Sequence, residues 1–392
     1  MKQDFADVVA LRRDIHAHPE LAFAEERTAE AIITFLADCG IDVHRGIGGT
    51  GVVGVLRAGS GPRAIGLRAD MDALPITESN HFLHASRHDG RMHACGHDGH
   101  VAMLLAAART LARAGQFDGT VYFIFQPGEE SGHGAQAMIE DGLFERFPME
   151  AVYAAHNWPG LPVGVFAVSP GPAMAACNEI TIEIRGKGGH AALPDQVADP
   201  VLAASAIVQA LQSIVSRNLP PAESAAVSIT KLAAGDSLHV TPETATIAGT
   251  VRTYSPAVTD AIEKHIVRIA TGVAEGYGCT ASIDFERNCA ATINHSGPAE
   301  IVATALTSYF GSENVKPMSP AMTAEDFAYM LERNPGCYFW IGNGEGDERA
   351  EGHGLGPCTL HNPSYDFDDR LIPIGAAAWT AIVQRALPPL GL

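Results

Sequence analysis

Residues Glu179–Gly186 read EITIEIRG, and their strict alternation of apolar with polar or charged side chains marks a change in the grammar of the chain. Period-two alternation describes a strand with one face buried and the other in water. Earlier stretches obey a different rule. TVYFIFQ (Thr120–Gln126) and AVYAAHN (Ala151–Asn157) are short apolar runs, as buried strands of a parallel sheet require. After EITIEIRG come a helix-period stretch from Pro200 to Arg217 and the strand-like AAVSITKL (225–232) and TATIAGTVRT (244–253). A second helical stretch, Pro256 to Glu275, and CTASIDFE (279–286) complete the series. The order β-α-β-β-α-β predicts a ferredoxin-like α+β unit over 178–291. Residues 1–177 and 292–392 then form the two parts of an interrupted α/β domain, with helices on both faces of a mixed sheet.

Upstream, Phe5–His16 and Glu26–Asp38 have helical apolar spacing, and Gly40 supplies a C-terminal stop for the second. GVVGVLRAG (51–59) and PRAIGLRAD (62–70) read as strands joined by a Gly-Ser-Gly-Pro turn. Asp98 stands where it can cap a helix running through Ala114, with Gly115 after it. A final helix is expected from Ile372 to Leu387. GIGGTG (Gly46–Gly51) matches a dinucleotide-binding fingerprint literally, but a strand follows it where that fingerprint needs a helix. It reads as a hairpin or turn.

The 392 residues, 46% hydrophobic and 18% charged, suit a globular chain too long for one ordinary core. A formal net charge of −19 argues against nucleic acid or an anionic membrane surface as the main partner. The first twenty residues lack the apolar core of a signal peptide, and no run reaches the length of a membrane helix. The 7 cysteines are odd in number, scattered and never spaced CxxC, which predicts no disulfide framework and a reduced, cytoplasmic setting.

Candidate chemistry gathers at strand ends, where α/β sheets bind ligands. MHACGHDGH (Met92–His100) carries Cys95 and His97, and LRADMDALP places Asp70 and Asp72 after an apolar strand. FIFQPGEES sets Glu129 and Glu130 side by side, AVYAAHNWP ends with His156, and TLHNPSYDF offers His361. Thiol, imidazole and carboxylate together are the ligand set of a zinc-like divalent site. Five ligands exceed one tetrahedral ion, so two metals are expected, and a glutamate left over suits a general base. His100 falls within the expected helix and is read as turning toward the loop, while His93 packs near the Cys95–His97 pair. His16, His18 and His133 are read as support or surface.

The segments RRDIHAHPEL, GLRADMDALPI, MHACGHDGHVAMLL, FIFQPGEE, AAHNWP, GKGGHAALP, GTVRT, AEDFAYML and LHNPSYDFDD run through nearly the whole chain. In that order they resemble the N-acyl-amino-acid amidohydrolases. The group includes bacterial hippurate hydrolases and plant auxin-conjugate hydrolases, and is related to aminoacylases and di-metal carboxypeptidases. The resemblance implies two divalent ions (zinc, manganese, cobalt or nickel) held by Cys95, His97, Glu130, His156 and His361, with Cys95 between them. It implies Glu129 as general base and acid, Asp72 as the carboxylate orienting a histidine ligand, and His190 as a donor to the oxyanion. Arg252 would meet the substrate carboxylate. His239 stands where relatives usually carry a substrate-binding asparagine, which leaves the amino-acid preference open. The inserted unit is implied to be a lid and to build a homodimer or higher oligomer.

The function expected is hydrolysis of a small N-acyl amino acid. The alternatives are a metallo-dipeptidase or carboxypeptidase on unblocked peptides, and a non-catalytic metal or small-molecule binding protein.

Overall fold

The computed structural model describes residues 5–345 and 351–389, arranged as two compact units. The first is built from the described residues up to Ala173, from Ile293–Ser319 and from Asp326 onward. The second comprises Met174–Thr292 and Pro320–Glu325. The short return segment, expected in the catalytic part, belongs to the second unit because the Ala175 N–H donates to the carbonyls of Ala321 and Thr323.

In the first unit, helices α1 (Ala6–Ala17) and α2 (Glu26–Asp38) precede strands β1 (Asp42–Ile47), β2 (Gly51–Ala58) and β3 (Ala64–Asp70). Helix α3 (His97–Ala114) and strands β4 (Gly119–Gln126) and β5 (Ala151–Trp158) follow. The sheet runs β1-β2-β4-β3-β5 and continues through Gly336–Gly342, Phe166–Ala167 and Val315–Lys316. β3 is parallel to β4 and β5, and β2 is antiparallel to β1 and β4, so the sheet is mixed. Every residue of β3 and β4 is buried, which explains why their sequences do not alternate.

β2 and β3 are consecutive in sequence, but β4 lies between them, so the Gly-Ser-Gly-Pro turn makes no hairpin. The hairpin is β1–β2, and GIGGTG is its turn, with Gly46, Gly48 and Gly49 at φ of 75°, 66° and 101°. A side chain at Gly48 would meet the backbone nitrogen of Met138 at 2.6 Å. Because Val52 of β2 pairs with Phe125 of β4, the hairpin turn sits at the same sheet edge as the end of β4.

Helix α3 and the C-terminal helix Leu371–Ala386 pack through Val101, Leu104, Leu105, Trp379, Ile382 and Val383 in one core. Asp98 does not cap α3. The helix starts at His97 after left-handed Gly96 (φ 87°), and no side chain caps it. The Asp98 carboxylate instead turns to α1, where it meets Arg12 Nε at 2.8 Å and His16 Nδ1 at 2.9 Å, all three fully buried. A buried guanidinium competes better for this carboxylate than the helix's own N–H groups. Arg12 also donates to Asp366 at 2.8 Å, tying α1, α3 and the segment before the last helix together.

The second unit carries one antiparallel sheet in the order Ala225–Ala234, Thr244–Thr253, Ala176–Arg185, Thr280–Cys289. Numbered along the chain this is 2-3-1-4, the order of a ferredoxin-like split unit. Helices Pro200–Leu211 and Pro256–Gly276 cover one face, where Ile180, Ile182 and Ile184 pack with Ile207, Ile262 and Ile266. Glu179, Glu183 and Arg185 point to the other face and are exposed. The helix expected to reach Arg217 ends at Leu211, and Ile214–Asn218 forms a π turn. Among the described residues no helix is long and apolar enough to cross a membrane.

Burial opposes charge on both Asp98 and His16, yet each stabilises the other's charged form. Asp98 is held well below the usual carboxylate range by Arg12 and His16, and His16 is pushed up to about 9 by Asp98 and Glu78. The His16 contribution to stability is therefore complete below its unfolded value near 6.5 and is lost as pH rises through about 9. The Asp98 contribution is present above 3.8 and is lost only in strong acid. Thermal melting should show stability declining between pH 7 and 10. Asp98→Asn should remove that part of the decline and cost about 3–5 kcal/mol at pH 7, since it leaves Arg12 buried and short of a partner.

Candidate metal centre

The parallel strands β3, β4 and β5 end along one edge of the sheet, and their last residues lead into the candidate ligands. β3 runs into Asp70 and Asp72, β4 into Pro127–Glu130, and β5 carries His156 two residues before its end. Cys95 and His97 arrive at the start of α3. His361 comes from the loop before the C-terminal helix and adopts a left-handed backbone, φ 60°. Its N–H donates to the Ala94 carbonyl at 2.8 Å, which brings it beside Cys95. A left-handed conformation is uncommon outside glycine, although histidine adopts it more readily than most residues, and here the bond to Ala94 accompanies it.

The ligand atoms fall into adjoining groups. Cys95, His97 and His156 form one, and Cys95, Glu130 and His361 form another, with the atoms of each within 4.8 Å of one another. Cys95 belongs to both. Cys95 Sγ lies 3.4 Å from His156 Nε2, and His361 Nε2 lies 3.4 Å from a Glu130 oxygen. Glu129 stands alongside, its Oε2 4.0 Å from His97 Nε2.

Neighbouring hydrogen bonds set which ring nitrogens face the pocket. His97 Nδ1–H donates to Asp72 Oδ1 at 3.2 Å, so Nε2 is the nitrogen aimed inward. The other oxygen of Asp72 accepts the Glu130 N–H at 3.0 Å. His156 Nδ1–H donates to the Asn157 carbonyl at 2.7 Å, leaving Nε2 toward Cys95. His100 is spent otherwise. Its Nε2 accepts the Asn157 N–H at 2.9 Å and its Nδ1–H donates to Asp70 at 2.5 Å, so it turns to the strand ends rather than to the loop. Asp70 is likewise engaged by Arg68 at 2.6 Å. His16 and His93 are buried supports, whereas His133 is at the surface.

The charges are poised for a cation. Burial pushes the Cys95 thiol well above its usual range, and Glu130 and Glu129 push it further. Burial works against a proton on His97, but Asp70 and Asp72 raise it to about 10. Burial, helped by His100, drives His156 far down and keeps it neutral. Glu130, against its burial, is held below its usual value by His361 and His97. His97 Nε2 is buried without a hydrogen-bond partner, and the Glu130 oxygen near it meets the nitrogens of His361 at 3.4 Å and His97 at 3.9 Å. An unpartnered imidazole nitrogen and a carboxylate oxygen beside a thiol fit a divalent ion of the zinc type.

Asp72, Cys95, His97, Glu129, Glu130, His156 and His361 thus come together in the first unit. The second unit holds the other three expected residues. His190 lies on the short strand Gly189–His190, paired with Val240–Thr241, and its Nδ1 accepts the Ala192 N–H at 3.1 Å. His239 is exposed, and its carbonyl accepts the Ala191 N–H at 3.1 Å, so it lies beside His190. Arg252 is half-buried on the central strand Thr244–Thr253, opposite Cys177 and Ala226.

One organising residue escaped the sequence reading. Asn157 Nδ2 donates to the Cys95 carbonyl at 2.6 Å while its Oδ1 accepts the Tyr365 hydroxyl at 2.8 Å. A polar residue ending a buried apolar strand was the available signal.

The chain resembles known proteins over most of its length. The family model described as peptidase family M20/M25/M40 matches residues 66–385. The chain is 38% identical over 378 residues to hippurate hydrolase of Campylobacter jejuni, covering 96% of each protein. It is 37% identical over 372 residues to N-acetylcysteine deacetylase of Bacillus subtilis, covering 94% of each. An IAA-amino acid hydrolase of Arabidopsis thaliana is 34% identical over 392 residues, covering 98% of this chain and 87% of that protein. A crystal structure from Bacillus subtilis, described as a dinuclear metal binding peptidase of the M20 family, superposes with a TM-score of 0.84. It shares 32% identity and covers 97% of each chain.

Asp72→Asn keeps the shape of the residue but cannot accept from His97 and Glu130 together. Titration of the metal-free protein against a competing chelator should show divalent-ion affinity weakened about 10–100-fold. Unchanged affinity would mean that His97 is oriented by other contacts.

Proposed function

The chain belongs to peptidase family M20/M25/M40 and is a hydrolase, and from that premise we propose that it cleaves the amide bond of N-acyl-L-amino acids. The products would be a carboxylate and a free amino acid. The observation that carries this reading is the pair of ligand groups sharing Cys95, with Glu129 adjoining them in a further group with His97 and Glu130. A binding site alone has no use for that additional carboxylate, whereas hydrolysis needs a general base. Relatives named for hippurate and N-acetylcysteine support N-acylated amino acids as the substrate class.

Cys95, His97 and His156 would hold one divalent ion, and Cys95, Glu130 and His361 the other, as zinc, manganese, cobalt or nickel. Such ions supply positive charge that polarises a carbonyl and makes water more acidic. Glu129 takes the proton from the attacking water and returns it to the departing amine. Asp72 keeps His97 in one tautomer and holds the Glu130 backbone. His190 donates to the oxyanion of the tetrahedral intermediate, a role worth about 3–4 kcal/mol when the donor is preorganised. Arg252 offers its planar fork to the substrate's free carboxylate, and His239 contributes to choosing the amino acid. The second unit would serve as lid and as the surface of a homodimer.

Glu129→Gln should keep the bound metal and lower kcat by about 10²–10⁴-fold, measured by amino-acid release and elemental analysis on the same preparation. Near-normal turnover would end the mechanism. Hippurate and N-acetyl amino acids should be hydrolysed in preference to an unblocked dipeptide of matching sequence. The reverse preference would make the protein a peptidase.

A further inference from the structure

Glu25 is fully buried, lies far from Glu129 in sequence and has no part in the chemistry above. Its Oε1 accepts two backbone N–H groups, from Phe23 at 3.0 Å and from Gly128 at 2.9 Å. Its Oε2 accepts the Thr50 hydroxyl at 2.5 Å. Thr50 belongs to the β1–β2 hairpin turn, which the antiparallel pairing of β2 with β4 brings to the edge where Gly128 emerges. One carboxylate therefore joins the segment before α2, the GIGGTG turn and the residue preceding Glu129.

The backbone at this junction is unusual. Phe23 and Gly128 are both left-handed, at φ of 61° and 59°, and both donate to the same oxygen. For a bulky residue such as Phe23 that conformation is an outlier, sustained only where other contacts enforce it. The Phe23 ring lies over Gly128 so closely that a Cβ there would meet it at 2.9 Å. Beyond Gly128 the chain is held again. The Gly128 carbonyl accepts the Ser131 hydroxyl at 2.8 Å, and the Glu130 N–H donates to Asp72 at 3.0 Å. Glu129 is thus flanked by two peptide N–H groups, each bound to a buried carboxylate.

We infer that Glu25 is a positioning residue: by gripping the Gly128 N–H it sets where the Glu129 carboxylate stands relative to the ligands. The inference rests on Glu129 acting as the base. Geometry is what the role requires, and charge is not. Burial pushes the Glu25 carboxyl above its usual range, although Thr50 and Gly128 oppose this, so a neutral amide of equal length is a fair replacement. Glu25→Gln keeps an oxygen that can accept both N–H groups, and its amide can donate to the Thr50 oxygen. Glu25→Asp keeps the charge but falls short by one methylene, roughly 1.5 Å.

The test compares the two variants in the metal-loaded protein on an N-acyl amino acid, with turnover normalised to bound metal. Glu25→Asp should lower kcat by about 10–100-fold, the cost expected of a misplacement on the order of 1 Å, with KM changed by less than about threefold. Glu25→Gln should stay within about threefold of the parent in both constants, the scatter of an undisturbed geometry. Should Glu25→Asp fail to fold, Thr50→Val removes only the lock on Oε2 and should lower kcat with KM preserved. Parent-like kcat in Glu25→Asp overturns the inference. So does an equal loss in Glu25→Gln, because an oxygen able to accept both N–H groups would then not suffice, or a loss that follows metal content. Glu129→Gln, assayed in parallel, separates the two failures. If it stays active the functional reading falls, and if it is inactive while Glu25→Asp is normal only the positioning role falls.

Discussion

Asp72 divides its two oxygens between an imidazole and a peptide N–H, and the pocket depends on that division. One oxygen holds His97 Nδ1 and the other holds the Glu130 backbone. The two partners come from different parts of the chain, the start of α3 and the loop after β4, which no sheet pairing joins directly. A neutral side chain could not accept from both. Cys95 shares one group with His97 and another with Glu130, and His156 and His361 complete the two groups from further elements.

The protein gathers negative charge in this region and holds it with buried cations placed behind it. Arg68 engages Asp70 and also reaches Asp326, to which Gln126 donates at 2.8 Å. Arg12 and His16 do the same for Asp98 on the far side of the first turn of α3. The carboxylates of Glu129 and Glu130 meet histidines: Glu129 lies 4.0 Å from His97 Nε2, and Glu130 lies 3.9 Å from His97 Nε2 and 3.4 Å from His361 Nε2. Removing a charge from water is costly unless it is paired. The groups around Cys95 could hold a divalent ion of the complementary charge, while Asp70 and Asp98 behind them are paired with arginines.

Legibility along the chain followed the range of the interactions involved. Strand ends announce themselves through apolar runs that stop at a polar residue, and Glu129, Glu130 and His156 stand at or near such a stop, whereas Cys95 and His97 stand at the start of a helix and His361 comes from a loop. The alternation in EITIEIRG likewise reports a half-wet sheet, because exposure on one face is a local property of each strand. Asp98 was misleading for the opposite reason. Its position beside a helix start suggests a cap, but a guanidinium from α1 claims the carboxylate first. His100 has the same history, since Asp70 and Asn157 reach it only after the sheet is assembled.

By itself the sequence determined the element types, the presence of a second, alternating sheet, and which residues have the donor chemistry for a divalent ion. Those properties reside in single segments and in side-chain identity. Only the tertiary structure decided that β4 separates β2 from β3, which nitrogen of each histidine faces inward, and that Glu25 and Asp72 hold the chain on either side of Glu129. Apart from the bond of His156 to the adjacent Asn157 carbonyl, these depend on contacts between residues tens of positions apart, which have no local signature until folding brings the partners within about 3 Å of each other.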